Sequence, residues 1–221
     1  MADLQVFDMD GTLLLDPRTP TASLAVAREA GCWEEVELLE GLLAAGRMTH
    51  SAFAAVARVF WEHLTPPMVD QAFDRCRWLQ GIEEVVADIH AHDGVAAVIT
   101  MAPDFFAERL ADAFGFDYVA ATPYPTLPFE APVNLSTAPD PEDKERIVRQ
   151  LKDHFGIDGR TVAWGDGPSD AFMFRAADWS VALNPRKELP TAPDLLYEGT
   201  DLREPYRHVR AMLRDQATQA A

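Results

Sequence analysis

The stretch Leu4-Gln5-Val6-Phe7-Asp8-Met9-Asp10-Gly11-Thr12 constrains this chain more than any other. Four residues of mostly apolar, strand-forming type run into two carboxylates one residue apart, and Gly11 then lets the chain turn sharply. Charge at the carboxyl end of a buried strand is what a ligand crevice in an open α/β sheet requires. On an extended chain Asp8 and Asp10 point the same way, and a turn beginning near Met9 splays them about one reacting centre. Such a pair can supply a nucleophile for phosphorus, a group that trades a proton with the leaving atom, and oxygen ligands for a divalent cation. The plain alternative is a strand end with two solvated aspartates, and the rest of the chain decides between them.

From about Thr21 the pattern turns helical for some sixty residues: Ala22 to Ala30, Glu34 to Ala45, Thr49 to Leu64 and Pro67 to Arg77 carry apolar residues at three- and four-residue spacing. The large side chains here, such as Trp33, Phe53, Trp61 and Phe73, are expected to fill a small bundle, with a few facing the crevice. A helix from Ile82 to His92 follows, then the continuous apolar run Val95 to Ile99, the mark of a strand buried on both faces. It ends at Thr100-Met101-Ala102-Pro103, beside the start of a helix over Asp104 to Phe114, where free amides make an anion site.

A third strand is expected at Asp117 to Ala121 and an irregular proline-rich excursion over Tyr124 to Pro141. Lys144 then falls in the first turn of a helix over Asp143 to His154, an unfavourable place for a cation unless an anion lies close. The strand Thr161 to Trp164 runs into Gly165-Asp166-Gly167-Pro168-Ser169-Asp170, again two carboxylates at a strand end. A short helix Ala171 to Ala177, a fifth strand Trp179 to Leu183 and a helix Glu204 to Asp215 precede a polar tail expected to be disordered. Strands alternate with helices, so the expected core is a parallel α/β sheet with right-handed crossovers.

Composition narrows the function. Lys and Arg number 19 against 36 Asp and Glu, a formal net charge of −17, which argues against nucleic acid or an anionic membrane as partner. A phosphorylated substrate is repelled at long range too, so a phosphate site must be built locally from a metal, a lysine and backbone amides. No apolar run is long enough to span a bilayer, and with Met1-Ala2-Asp3 directly before the first strand no leader is expected. Cys32 and Cys76 lack metal-type spacing and fit unpaired thiols in a reducing cytoplasm. The six histidines show no ligand spacing.

Read together, Asp8-Met9-Asp10-Gly11-Thr12, Thr100, Lys144 and Gly165-Asp166-Gly167-Pro168-Ser169-Asp170 resemble, in order, the four motifs of the haloacid dehalogenase-like (HAD) hydrolase superfamily. The helical insertion resembles a type C1 cap. The phrases Gly81-Ile82-Glu83-Glu84-Val85, Phe116-Asp117-Tyr118-Val119 and Gly165 to Met173 are similar to the phosphoserine phosphatase branch. The resemblance implies a Rossmann-like core over 1–16 and 79–221, with a helical cap over 17–78.

It also implies a magnesium-dependent phosphomonoesterase acting on a small phosphorylated metabolite. Asp8 would be the nucleophile that becomes an aspartyl phosphate, and Asp10 the acid and then the base. Mg²⁺ would be held by the Asp8 carboxylate, the Asp10 carbonyl and the Asp166 carboxylate, with Ser169 and Asp170 supporting. Phosphoryl oxygens would be bound by Thr100, Met101, Ala102 and Lys144, with Met9, Gly11 and Thr12 from the first motif. Enzymes of this superfamily that cleave carbon–halogen bonds lack an acid at the place of Asp10, which favours phosphoryl chemistry.

Two departures bear on the substrate. Phosphoserine phosphatases carry a glutamate soon after the first motif and an arginine in the cap; here the early stretch is Leu14-Leu15-Asp16-Pro17, and Arg47 and Arg58 are the cap candidates. Thr100-Met101-Ala102 is also bulkier than the usual second motif, so a phosphate ester other than phosphoserine is preferred. A phosphomutase using the same aspartyl phosphate and a non-catalytic phospho-ligand binder are the alternatives.

Overall fold

The first strand, β1 (Leu4–Phe7), is buried along its whole length. The computed structural model describes residues 2–134, 136–185 and 189–219, with side chains as far as Arg214. β1 pairs in parallel with two strands, Val95–Pro103 and Thr161–Gly165, so both its edges are used. Numbered along the chain these are β2 and β4, with β3 (Tyr118–Thr122), β5 (Trp179–Leu183) and β6 (Leu195–Tyr197) completing the sheet. The described strands run β3-β2-β1-β4-β5-β6, all parallel. The order reverses at β1, and the carboxyl ends of β1, β2 and β4 therefore enclose a crevice.

Side chains alternate across β1. Leu4 and Val6 face an apolar layer with Ile99, Val148, Leu151 and Met173. Phe7 faces the other layer and stacks on Trp164 at 5.4 Å between ring centroids. Gln5 is buried on that side as well, and it accepts a hydrogen bond from the Trp164 indole at 2.8 Å, which removes the cost of burying its amide.

The expected helical insertion is present as α1 (Ala22–Ala30), α2 (Trp33–Ala44), α3 (His50–Phe60) and α4 (Pro66–Arg75). Thr21 and Thr49 cap α1 and α3 through their hydroxyls, which accept from Leu24 and Ala52 amides. Pro66 and Pro67 open α4, where a missing amide costs nothing. Its apolar residues Ala25, Val36, Phe53, Trp61 and Phe73 join Phe7, Met9 and Phe106 in one continuous cluster. The helices α5 (Ile82–Ala91), α6 (Asp104–Phe114), α7 (Asp143–Phe155), α8 (Ala171–Ala176) and α9 (Arg203–Gln219) cover the sheet.

Three differences from expectation are local. β6 was not expected, since three residues are too few to show a period. β2 continues through Thr100 to Pro103, past the expected end at Ile99, because it bulges against β3 there. α9 runs to Gln219, beyond the expected end at Asp215; the last two residues of the expected tail lie outside the described residues, as does Leu135 of the proline-rich excursion.

Candidate active site

Lys144 is 1% exposed, yet its ammonium donates to two carboxylates, Asp8 Oδ1 and Asp170 Oδ1, each at 2.7 Å. A cation in the first turn of α7 faces the helix's positive end, and these two anions explain why it is tolerated. Burial alone would lower the lysine's pKa, but Asp170 and Asp8 outweigh it and raise the value, so Lys144 stays charged.

Asp170 is held on both sides. Its second oxygen accepts from the amides of Asp166 and Gly167 at 2.9 and 3.0 Å, while Gly165 gives it room, since a Cβ there would lie 2.4 Å from the Asp170 Cβ. Asp166 itself accepts from the Thr12 hydroxyl at 3.2 Å, and that hydroxyl also lies 3.5 Å from Asp8 Oδ2. Gly11 adopts φ +89°, and a Cβ at that position would stand 2.4 Å from Asp166 Oδ2. The first and fourth motifs are thus packed against each other with no space for a side chain between them.

Asp8, Asp166 and Asp170 each bring a carboxylate oxygen within 4.8 Å of the others. The charge this concentrates is visible in the acidities. Asp8 is raised to about 6, by burial first and by Asp170 next, with Lys144 opposing. Asp166 is raised to about 7 by burial and then by Asp8 and Asp170. Asp10 is raised well above its ordinary value by burial and Asp8, although its Oδ1 accepts from the Ala22 amide at 2.9 Å. A hard divalent cation fits this set: oxygen donors crowd one point, and they favour protons or a cation there. Both oxygens of Asp170 are committed to Lys144 and to backbone amides, which leaves Asp8 and Asp166 as the carboxylates free to bind an ion.

Asp8, Asp10 and Lys144 line a cavity of about 180 Å³, whose lining does not include Asp166 or Asp170. Of the expected residues, Asp8, Asp10, Thr100, Met101, Ala102, Lys144 and Ser169 line it. The Thr100 hydroxyl accepts from the Ala102 amide at 3.2 Å, and the Met101 carbonyl accepts from the Thr122 hydroxyl at 2.7 Å, which fixes this wall. Met9 turns its side chain into the core, while its carbonyl accepts from the amides of Thr12, Leu13 and Leu14. It shapes the turn, and Thr12 and Gly11 position Asp166.

The cap candidates are elsewhere. Arg58 donates to the Phe129 and Ala131 carbonyls, at 3.1 Å each, with its guanidinium over the Phe129 ring; Arg47 is exposed and outside the cavity lining. In their place the helical insertion contributes Thr21, Ser23, Glu40, Leu43, His50, Phe53 and Ala54. Glu40 and His50 were missed because each sits on an amphipathic helix with no motif around it. Cys32 and Cys76 are free thiols, as expected.

Over residues 6–175 the chain matches the haloacid dehalogenase-like hydrolase family, and it belongs to that family. The phosphoserine phosphatase of Methanocaldococcus jannaschii is 25% identical over 209 residues, covering 94% of this chain and 97% of that protein. The phosphoserine phosphatase of Archaeoglobus fulgidus is 25% identical over 86% of this chain and 55% of its own length. A solved phospho-aspartyl intermediate analogue of phosphoserine phosphatase superposes with a TM-score of 0.74 at 25% identity, over 94% of this chain and 98% of the other. Within the family the chain is phosphoserine phosphatase-like, a hydrolase of the phosphatase type.

Proposed function

We propose that the protein is a Mg²⁺-dependent phosphomonoesterase that hydrolyses a small phosphorylated metabolite through an aspartyl phosphate on Asp8. The observation that carries this reading is the Lys144 ammonium bonded to Asp8 in the wall of a cavity that Asp10 also lines. Charge repulsion between a carboxylate and a phosphate dianion is the main obstacle to attack, and Lys144 reduces it on the nucleophile itself.

In the first step an Asp8 oxygen forms a bond to phosphorus as the ester P–O bond breaks. Asp10, whose pKa is raised by its buried setting, gives its proton to the departing alkoxide. In the second step Asp10 takes a proton from a water that attacks phosphorus, and the Asp8–phosphorus bond breaks to release inorganic phosphate. Thr100 and the amides near Met101 and Ala102 hold phosphoryl oxygens. Asp8, Asp166 and the Asp10 carbonyl would hold Mg²⁺, which supplies the remaining positive charge on the phosphoryl group. Asp170 and Ser169 flank that set.

Residues 17–78 act as the cap over this chemistry, closed onto the core of 1–16 and 79–221 by the shared apolar cluster and by Arg58. The charge of −17 supports a small-molecule partner over nucleic acid, no helix among the described residues is long and apolar enough to cross a membrane, and the two free thiols support a cytoplasmic setting. The test is phosphate release from a panel of phosphomonoesters, with Mg²⁺ and with chelator, for the native chain and Asp8→Asn. Chelator-sensitive release lost in Asp8→Asn is expected; isomerised product without net release would overturn hydrolysis in favour of transfer.

A further inference from the structure

Asp8, Lys144 and Thr100 to Ala102 line the cavity from the core, and Thr21, Glu40, His50 and Phe53 from the helical insertion, with Tyr124 from the loop after β3, form a further part of its wall. In the proposed reaction the core residues take the phosphoryl group, which leaves this further wall to the leaving group. Glu40 Oε1 accepts from the Thr21 hydroxyl at 2.7 Å, which fixes the carboxylate at the start of α1. Among the described residues no cation pairs with Glu40, and burial pushes its pKa up with only the Thr21 hydroxyl opposing. A partly desolvated carboxylate facing a cavity without a counter-ion is a receptor for a ligand's cation.

The same wall offers no unshared cation to a ligand carboxylate. No arginine lines the cavity among the described residues. Arg58, four residues past the lining residue Ala54, is committed to the Phe129 and Ala131 carbonyls, and Arg47 is exposed outside the lining. His50 is shifted toward its neutral form by burial, with Lys144 adding to the effect and Asp140 opposing. Lys144 itself is already shared between Asp8 and Asp170. Phe53 and Tyr124 also line the space, and aromatic rings attract an ammonium group rather than a carboxylate.

We propose that Glu40 is a specificity-determining residue that receives an ammonium group, and that the substrate is the phosphate ester of a small amino alcohol bearing no carboxylate. This rests on the phosphomonoesterase reading and deepens it. A cavity of about 180 Å³ holds the phosphoryl group and a leaving group of only a few heavy atoms, which agrees with a two- or three-carbon amino alcohol.

The experiment measures Mg²⁺-supported kcat/KM for O-phosphoethanolamine, O-phosphoserine, glycerol phosphate and para-nitrophenyl phosphate, with the native chain, Glu40→Gln and Asp8→Asn. The native chain is expected to favour O-phosphoethanolamine over O-phosphoserine and over glycerol phosphate by at least tenfold. Glu40→Gln is expected to reduce the O-phosphoethanolamine value at least tenfold more than the para-nitrophenyl phosphate value, chiefly through KM, and Glu40→Asp to recover part of the difference. Equal or better turnover of O-phosphoserine or glycerol phosphate overturns the proposal. So does a Glu40→Gln variant, folded by circular dichroism, that lowers every ester alike. Absence of Asp8-dependent release from para-nitrophenyl phosphate, which carries no amine, identifies failure of the phosphatase reading itself, and this inference falls with it.

Discussion

The Oδ1 atom of Asp10 lies 2.9 Å from the backbone amide of Ala22, so the candidate acid on the loop after β1 is held by the first turn of the cap's first helix. The cap therefore orients the group that must meet the leaving oxygen. Asp10→Asn keeps that acceptor and the fold but cannot move a proton. Its kcat is expected to fall by roughly 10²–10⁴-fold. The native rate also falls at high pH as Asp10 loses its proton, and this limb of the pH–rate profile is expected to vanish in the variant. A profile with the same alkaline limb in both proteins would remove Asp10 from the acid's role.

Lys144 neutralises two buried carboxylates at once, and its loss strands both. Lys144→Met is expected to destabilise the metal-free chain by about 3–5 kcal/mol at neutral pH, measured by denaturant unfolding, and to abolish phosphate release. Asp170→Asn, which removes one of the two anions, is expected to restore part of the stability of Lys144→Met but none of its activity.

The raised acidities set a direction for stability against pH. Asp8 at about 6 and Asp166 at about 7 lie above the ordinary 3.8, so the folded chain binds protons more tightly than the unfolded one at these sites. Their contribution to stability is fully present below about pH 4 and is lost as pH rises through 6 to 7. In the absence of metal, the unfolding free energy of Asp166→Asn relative to the native chain, measured by denaturant unfolding, is therefore expected to rise between pH 5 and pH 8, on the order of 1 kcal/mol per unit through the titration. Mg²⁺ competes with the same protons, so its affinity, measured by calorimetry, is expected to weaken as pH falls through this window.

Gly11 has no room for a methyl group and no allowed conformation for one. Gly11→Ala is expected to cost roughly 1–2 kcal/mol of stability from the left-handed backbone and far more in rate, because the new Cβ meets the Asp166 carboxylate. A variant that loses stability but keeps its rate would show that Asp166 tolerates displacement.

Arg58 ties α3 to the loop that follows β3, together with the Tyr124 hydroxyl, which donates to the Ala54 carbonyl at 3.3 Å. Arg58→Ala is expected to increase hydrogen exchange across Phe129 to Val133 while moving Tm by only a few degrees. Unchanged exchange there would mean that the apolar cluster alone seats the loop.

The phosphate-handling half of the site was legible because its chemistry sits at strand ends, where a buried apolar run stops at a charge. Asp8, Asp10, Asp166 and Lys144 each break a local pattern: two carboxylates abut a core strand, another follows a glycine turn, and a cation sits at a helix start. Glu40 breaks none. A glutamate near the end of α2 reads as a solvated face until the fold brings Thr21 within 2.7 Å of it. Arg58 shows the converse, since a cap cation in the expected region turns to backbone carbonyls that only the tertiary structure places beside it. β6 escaped notice because Leu195–Tyr197 is stabilised by its ladder with β5, and three residues carry no signal of their own.

The part of the cavity wall that α1 to α3 build comes from one uninterrupted stretch, Thr21 to Ala54, whereas Asp8, Thr100, Lys144 and Ser169 are scattered along the chain. Substitution within some thirty consecutive codons can therefore retune which ester is accepted while the hydrolytic apparatus stays untouched. A fold wired in this way lets selection explore new metabolites cheaply, and makes that short segment the natural target for a library that seeks new substrates without rebuilding the chemistry.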